Sequence, residues 1–195
     1  LYTLVTRLTT LGMNVVRTGR LGDDVKDVAA WIEGTKRQAD IIVTTGGVSV
    51  GKKDIMHEVV RRLGYERIFW RVAVKPGMPT LCAQYQGGLL ICLSGNPFGA
   101  AVNLELLLRP LLAKMSQRNE LDLKRVKAVS KSEFPKKSTV DRYVRAYFEG
   151  GEVRIPNGSN ASGILSSMCG CNCLIELPAG TQRLSEGDRV WVILM

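Results

Sequence analysis

Four short stretches of this chain combine residue types that can hold an anion or a hard cation. The first is Thr44-Thr45-Gly46-Gly47-Val48-Ser49-Val50-Gly51-Lys52-Lys53-Asp54. Its glycines let backbone N–H groups approach a phosphate closely, and Ser49 can donate to a phosphate oxygen. Asp54 offers carboxylate oxygens of the kind Mg²⁺ prefers. The second stretch, Lys75-Pro76-Gly77-Met78-Pro79, fixes a backbone shape beside one lysine, a combination suited to an oxyanion. The third, Ser94-Gly95-Asn96-Pro97, joins an apolar run to a helical pattern with proline at an early helical position. The fourth is Asp23-Asp24, a carboxylate pair that suits a divalent cation or the first turn of a helix.

Each stretch also has a plain reading: a glycine turn with Asp54 as a helix cap, a rigid proline turn, ordinary helix initiation, or acids favoured by a helix dipole. The elements around them decide between the two. Ile41-Ile42-Val43-Thr44 is a continuous apolar run, as in a buried parallel strand. Helical spacing before it covers 2–11 and 25–38, and Asn14–Thr18 is β-prone. A third helix is expected after Asp54. Strands follow at Ile68–Val74, Thr80–Gln84 and Leu89–Leu93, then a long helix from Pro97 to about Lys114, interrupted by Pro110. The alternation of strand, loop and helix predicts an α/β layer with a parallel or mixed sheet and helices on both faces. The glycine string would then lie at the carboxyl end of a strand, where open α/β sheets bind ligands.

A polar stretch, 116–122, separates this part from a segment with only strand patterns: Lys124–Ser130, Tyr143–Phe148, Val153–Ile155, Leu174–Leu177 and Arg189–Leu194. The expected organisation is an α/β domain over residues 1–118 and a small all-β, barrel-like domain over 119–195. The charge excess of +9 suggests an anionic partner. The basic residues are scattered rather than run together, so a small phosphorylated ligand fits better than nucleic acid. No stretch approaches the length of a membrane helix. Five cysteines, an odd count without a secretory signal, read as reduced thiols of a cytoplasmic protein. Cys169, Cys171 and Cys173 alternate; small apolar core residues explain them better than zinc, whose usual knuckle is Cys-x₂-Cys. His57, the single histidine, reads as a partly exposed helix residue rather than a base, and the three tryptophans read as packing residues.

The order and spacing of the glycine string, the Lys75–Pro79 loop and the Ser94–Pro97 loop resemble the MoeA/gephyrin E-domain family of molybdenum insertases. The later segments Ser162–Met168 and Asn172–Pro178 are similar to that family's last β-domain. The resemblance implies the MogA-like molybdopterin-binding fold, without its first strand, and a fragment of a longer protein. It also implies a reaction: adenylylated molybdopterin and molybdate are the substrates, molybdate is inserted, and AMP leaves with Mg²⁺. Asp23 and Asp54 would be metal-associated acids, with Lys75 beside them in the catalytic set. Gly46, Gly47, Ser49 and Gly51 would cradle the phosphate end, and Arg71, Lys75, Pro76 and Gly77 would line the pterin or molybdate side. Ser94, Gly95, Asn96 and Pro97 would close the pocket, with Arg145 and Ser162 beside molybdate. A homodimer and a MogA-type adenylyltransferase partner are further implications; no nucleic acid and no membrane are expected. Two loops depart from the family pattern: Met78 replaces a second lysine and Ser94 replaces a proline. These changes leave an alternative open, a non-catalytic molybdopterin-binding or scaffold paralogue of the same fold.

Overall fold

The computed structural model describes residues 1–49, 54–156 and 168–195. Two compact units emerge, one formed by residues 1–72 and 77–96, the other by 73–76 and 97–195.

In the first unit, helix α1 (Tyr2–Thr10) buries none of its residues fully, and Leu11 just beyond it is buried. Helix α2 (Val25–Thr35) starts where the Asp24 carboxylate accepts from the Lys26 and Asp27 amides at 2.8 and 3.0 Å. Such a cap stabilises a helix by about 1 kcal/mol. Strand β1 (Ile41–Thr45) is followed by helix α3 (Met56–Arg62), then β2 (Glu66–Trp70), β4 (Leu81–Tyr85) and β5 (Gly88–Leu93), with the short β3 (Val74–Lys75) lying in the second unit. The sheet order is β1-β5-β4-β2. Only β1 and β5 run parallel; the other pairs are antiparallel, so the sheet is mixed. Leu81, Ala83, Leu90 and Cys92 turn one sheet face toward Val28, Ala29 and Ile32 of α2 and Met56, Val59 and Val60 of α3. That stripe of buried apolar side chains is the unit's core.

Two local expectations fail here for physical reasons. Residues 14–18 join no strand among the described residues. Arg17 instead reaches across α2, donating to Thr35 Oγ1 at 3.2 Å with its guanidinium 4.8 Å from the centre of the Trp31 ring. β propensity without a neighbouring ladder does not make a strand. The strand expected over 68–74 ends at Trp70, because Arg71 adopts φ +70°. A left-handed residue cannot continue a ladder.

In the second unit, the helix from Pro97 is three pieces: α4 (Pro97–Asn103), a π-helical segment (Leu104–Leu108) and α5 (Arg109–Ser116). Pro110 lacks an N–H and its ring crowds the preceding turn; the wider π register just before it relieves that conflict. Strands β6 (Lys124–Ser130), β7 (Asp141–Glu149), β8 (Glu152–Arg154), β9 (Cys173–Leu177) and β10 (Arg189–Leu194) follow. The order is β3-β7-β8-β6-β10-β9, and β9 also pairs with β7, so the described strands β6 to β10 close on themselves. Ala128, Val144, Ala146, Val153, Ile175, Leu177 and Val192 fill the interior. The helix over 97–116 groups with the strands that follow it, since Phe98 and Val102 pack on Tyr143, Leu174 and Ile193.

Candidate functional site

The candidate site gathers at the carboxyl ends of β1 and β5, which run parallel and in register with Thr45 beside Leu93. The loop after β1 begins with Gly46 at φ +88° and Gly47 at φ +65°. Both conformations are cheap for glycine and strained for other residues. Gly46 donates its N–H to the Leu93 carbonyl at 3.1 Å. A Cβ added at Gly95 would lie 3.3 Å from Gly46 Cα, so the loop after β5 rests directly against the loop after β1. Two loops that the chain separates by some fifty positions thus form one glycine-lined edge. The β5 loop keeps its shape through Ser94, whose hydroxyl accepts from the Asn96 amide at 3.2 Å.

Asp54 is not the cap of α3; Ile55 holds that position and makes no side-chain cap. One Asp54 oxygen, Oδ1, accepts instead from the Ser49 amide at 2.7 Å. The Gly47 carbonyl accepts from the Met56 amide at 3.0 Å. These two bonds fold the loop back onto the start of α3. The other oxygen, Oδ2, is buried and has no hydrogen-bond partner among the described residues. An ionised oxygen left in that state is costly unless a cation or donor joins it. The donor set suits Mg²⁺, which usually takes one or two carboxylates and leaves its other positions to water and phosphate. Asp23 is exposed, one residue before the Asp24 cap. Among the described residues no cluster of three His, Cys, Asp or Glu side chains could hold a metal by itself.

Trp70, which reads as packing in the sequence, is a hub of this edge. Its indole N–H donates to the Val48 carbonyl at 3.2 Å, inside the glycine loop. The Arg71 guanidinium lies 4.4 Å from the centre of the Trp70 ring, and His57 meets that ring edge-on at 4.6 Å. Arg71 is thereby tied to the loop through its neighbour's indole. The signal available in the sequence was the adjacency of Trp70 and Arg71 after a strand, which does not reveal a contact with Val48. Burial pulls the His57 pKa below its ordinary value, Arg67 adds to that, and Asp54 opposes it.

The remaining residues fall as follows. Lys75 and Pro76 share a cis peptide, and Lys75 pairs in β3 with Arg142 of β7. Gly77 adopts φ +109° and its carbonyl accepts from the Thr80 hydroxyl at 2.9 Å. Arg145, on β7, is 2% exposed with its guanidinium 4.6 Å from the centre of the Phe98 ring; burial lowers its pKa. Pro97 opens α4. Gly51 and Ser162 lie outside the described residues.

A family model described as "Probable molybdopterin binding domain" matches residues 1–114, and one described as "MoeA C-terminal region (domain IV)" matches residues 127–195. Proteins named molybdopterin molybdenumtransferase, from Staphylococcus aureus (strain COL) and Bacillus subtilis (strain 168), are each 32% identical over 187 residues, or 94% of this chain. The chain spans 45% and 44% of those relatives' lengths. Among solved structures, a molybdopterin biosynthesis MoeA protein from Pyrococcus horikoshii OT3 aligns over the whole chain and 46% of its own length, with a TM-score of 0.77 and 24% identity. That likeness speaks to the fold alone. A second Pyrococcus MoeA structure is 27% identical, with a TM-score of 0.74 over 88% of this chain and 41% of that one.

Proposed function

Because the chain belongs to the MoeA family of molybdopterin-binding proteins, we propose that it serves molybdenum cofactor biosynthesis, binding adenylylated molybdopterin and directing molybdate into it as AMP is released. The observation that carries this reading is the apposition of Gly46 and Gly95 at the ends of β1 and β5, with Asp54 Oδ2, which has no hydrogen-bond partner among the described residues, beside the same loop. Glycine-lined edges of that kind admit phosphate to backbone N–H groups.

In this reading, Gly46, Gly47, Ser49 and Gly51 hold the phosphate end of the substrate. Asp54 Oδ1 keeps the loop closed through Ser49 while Oδ2 takes Mg²⁺, with Asp23 as a second acidic residue near the ion. When bound, the ion offsets phosphate charge during cleavage. Arg71, fixed on Trp70, supplies a cation next to the loop. Lys75, Pro76, Gly77 and Arg145 attend the pterin and molybdate side, with Ser162, and Ser94, Gly95, Asn96 and Pro97 close the phosphate edge. A homodimer, a MogA-type adenylyltransferase partner and a cytoplasmic location accompany the proposal.

The test compares Asp54→Asn with Asp54→Ala. Asparagine retains an oxygen that accepts from Ser49 and gives up the charge; alanine gives up both. Molybdate-dependent AMP release from adenylylated molybdopterin is followed with and without Mg²⁺. The expected result is Mg²⁺-dependent release in the wild type, a loss of about 100-fold or more in Asp54→Asn with folding intact, and no greater activity in Asp54→Ala. Full activity in Asp54→Asn would remove Asp54 as the metal-bearing residue. No binding of the adenylylated substrate would overturn the functional assignment. The substitution at Met78 favours a second reading, a protein that binds this substrate without turnover; tight binding without AMP release would select it.

A further inference from the structure

Cys169, Cys171 and Cys173 alternate in sequence, but they do not share one strand. Residues 168–171 form a tight turn in which the Cys171 amide donates to the Met168 carbonyl at 3.2 Å. Gly170 takes φ +74°, the left-handed conformation that the third position of a type II turn requires. Cys169 and Cys171 therefore occupy the second and fourth corners of that turn. Cys173, by contrast, opens β9, is 0% exposed and donates its thiol to the Ala146 carbonyl at 3.3 Å. Burial pushes its pKa up to about 12 and keeps it a neutral core residue.

The turn sets the other two apart. Cys169 is exposed and Cys171 half-buried. Residues two apart in an extended strand are separated by about 6.6 Å, near the upper end of the roughly 4.4–6.8 Å between Cα atoms of a disulfide. A tight turn draws its second and fourth corners closer than that. Burial raises the pKa of the Cys171 thiol above its ordinary value, and Cys169 adds to that rise. The Arg145 guanidinium, itself buried, acts on Cys171 in the opposite sense, favouring its thiolate against the burial that pushes the thiol up.

We propose that Cys169 and Cys171 form a redox-active dithiol, closing to a disulfide across the 168–171 turn and reopening on reduction. The oxidant is a small soluble disulfide. Cys169 releases its proton to solvent and its thiolate attacks one sulfur of the oxidant; that S–S bond breaks and the first small thiolate leaves. Cys171 then releases its proton to solvent and attacks Cys169 Sγ, expelling the second small thiolate. The protein has lost two electrons and two protons, and the oxidant has become two thiols. A bond closed over so short a loop is strained and readily reduced, so a dithiol reductant reverses the step.

The folded protein is incubated with oxidised glutathione, its remaining thiols are alkylated, and peptides are mapped by mass spectrometry, with circular dichroism confirming that each variant is folded. Wild type is expected to yield an internal Cys169–Cys171 disulfide and no retained glutathione. Cys171→Ser should keep a glutathione adduct on Cys169 that does not resolve, and Cys169→Ser should form no internal bond. A stable adduct on Cys169 of the wild type, both thiols still alkylated after oxidation, or a bond that recruits Cys173 would each overturn the proposal.

Discussion

Arg109→Met tests the least expected feature of the second unit. Arg109 is 6% exposed, yet its guanidinium serves three segments. Nη1 donates to Glu105 Oε2 at 3.1 Å and to the Leu194 carbonyl at 2.9 Å, Nε to the Leu121 carbonyl at 2.7 Å, and Nη2 to the Asp122 carbonyl at 3.2 Å. One side chain thereby joins the π segment, the 3-10 turn (Asn119–Leu121) and the last strand. Methionine keeps much of the apolar stem and removes the charge. Glu105, 3% exposed, then loses its cation. Removing one member of a buried ion pair costs about 3–5 kcal/mol because the other charge stays behind. Against a typical domain stability of about 5–15 kcal/mol, we expect a loss of about 4 kcal/mol. Urea unfolding followed by circular dichroism measures it. Adding Glu105→Gln removes the stranded charge and should restore at least half of the loss. A single-variant loss below about 1 kcal/mol would show that the guanidinium contributes no more than an ordinary hydrogen bond. A double variant no more stable than Arg109→Met would show that the carbonyl bonds, not the pairing with Glu105, carry the effect.

Gly95→Ala places a methyl group 3.3 Å from Gly46 Cα, and Gly46 is held by its own bond to Leu93; overpacking of this kind costs about 1–3 kcal/mol. Calorimetric binding of adenylylated molybdopterin should weaken by about tenfold, and unchanged affinity would separate ligand binding from the two-loop contact. His57 has a folded pKa below its ordinary 6.5, with burial as the main cause. Its neutral form is favoured by folding, so its contribution is complete above about pH 6.5 and is lost as pH falls from there through the lower folded value. His57→Gln should flatten the fall in stability as pH drops below about 6.5; a profile parallel to wild type in urea unfolding would refute this. Met78→Lys restores a cation to the Lys75–Pro79 loop and should lower the molybdate concentration needed for half-maximal AMP release by several-fold, roughly 1 kcal/mol. An unaltered molybdate dependence would remove the loop's charge from the account.

Much of the first unit was legible because its signals are local. The run Ile41–Val43 pairs in parallel with β5, with Ile42 buried and Ile41 and Val43 half-buried, and such strands favour continuous apolar character. Gly46 and Gly47 announce a loop because their φ values are accessible mainly to glycine. Strands β6 to β10 were legible within a residue or two, since alternate side chains face a closed interior. What escaped depends on how the fold places each group rather than on local propensity. Nothing near Asp54 shows that it would leave α3 uncapped and bind Ser49. Nothing near Trp70 shows that its indole would reach Val48. The π segment required knowing that Glu105 and Arg109 would be buried together, four residues apart and next to Pro110. The β tendency of residues 14–18 was overridden by the pairing of Arg17 with Trp31 and Thr35.

The two departures from the family pattern differ in physical kind. Ser94 replaces a proline that would have stiffened the loop by fixing φ. Its hydroxyl accepts from Asn96 and restrains the same turn by a hydrogen bond, and the side chain is only 7% exposed. The close approach of Gly95 to Gly46 persists with serine in place. Met78 leaves the local backbone anchored as well: its carbonyl accepts from Val72 at 3.0 Å, and Thr80 holds Gly77. Shape is therefore maintained at both positions by groups other than the replaced side chain. What Met78 takes away is charge, and in the proposed reading its loop attends molybdate while the glycine loops around Gly46 attend the phosphate end. A protein altered in this way should retain its grip on the adenylyl-phosphate end while its handling of molybdate changes, so binding and turnover must be measured separately to distinguish an insertase from a binding paralogue.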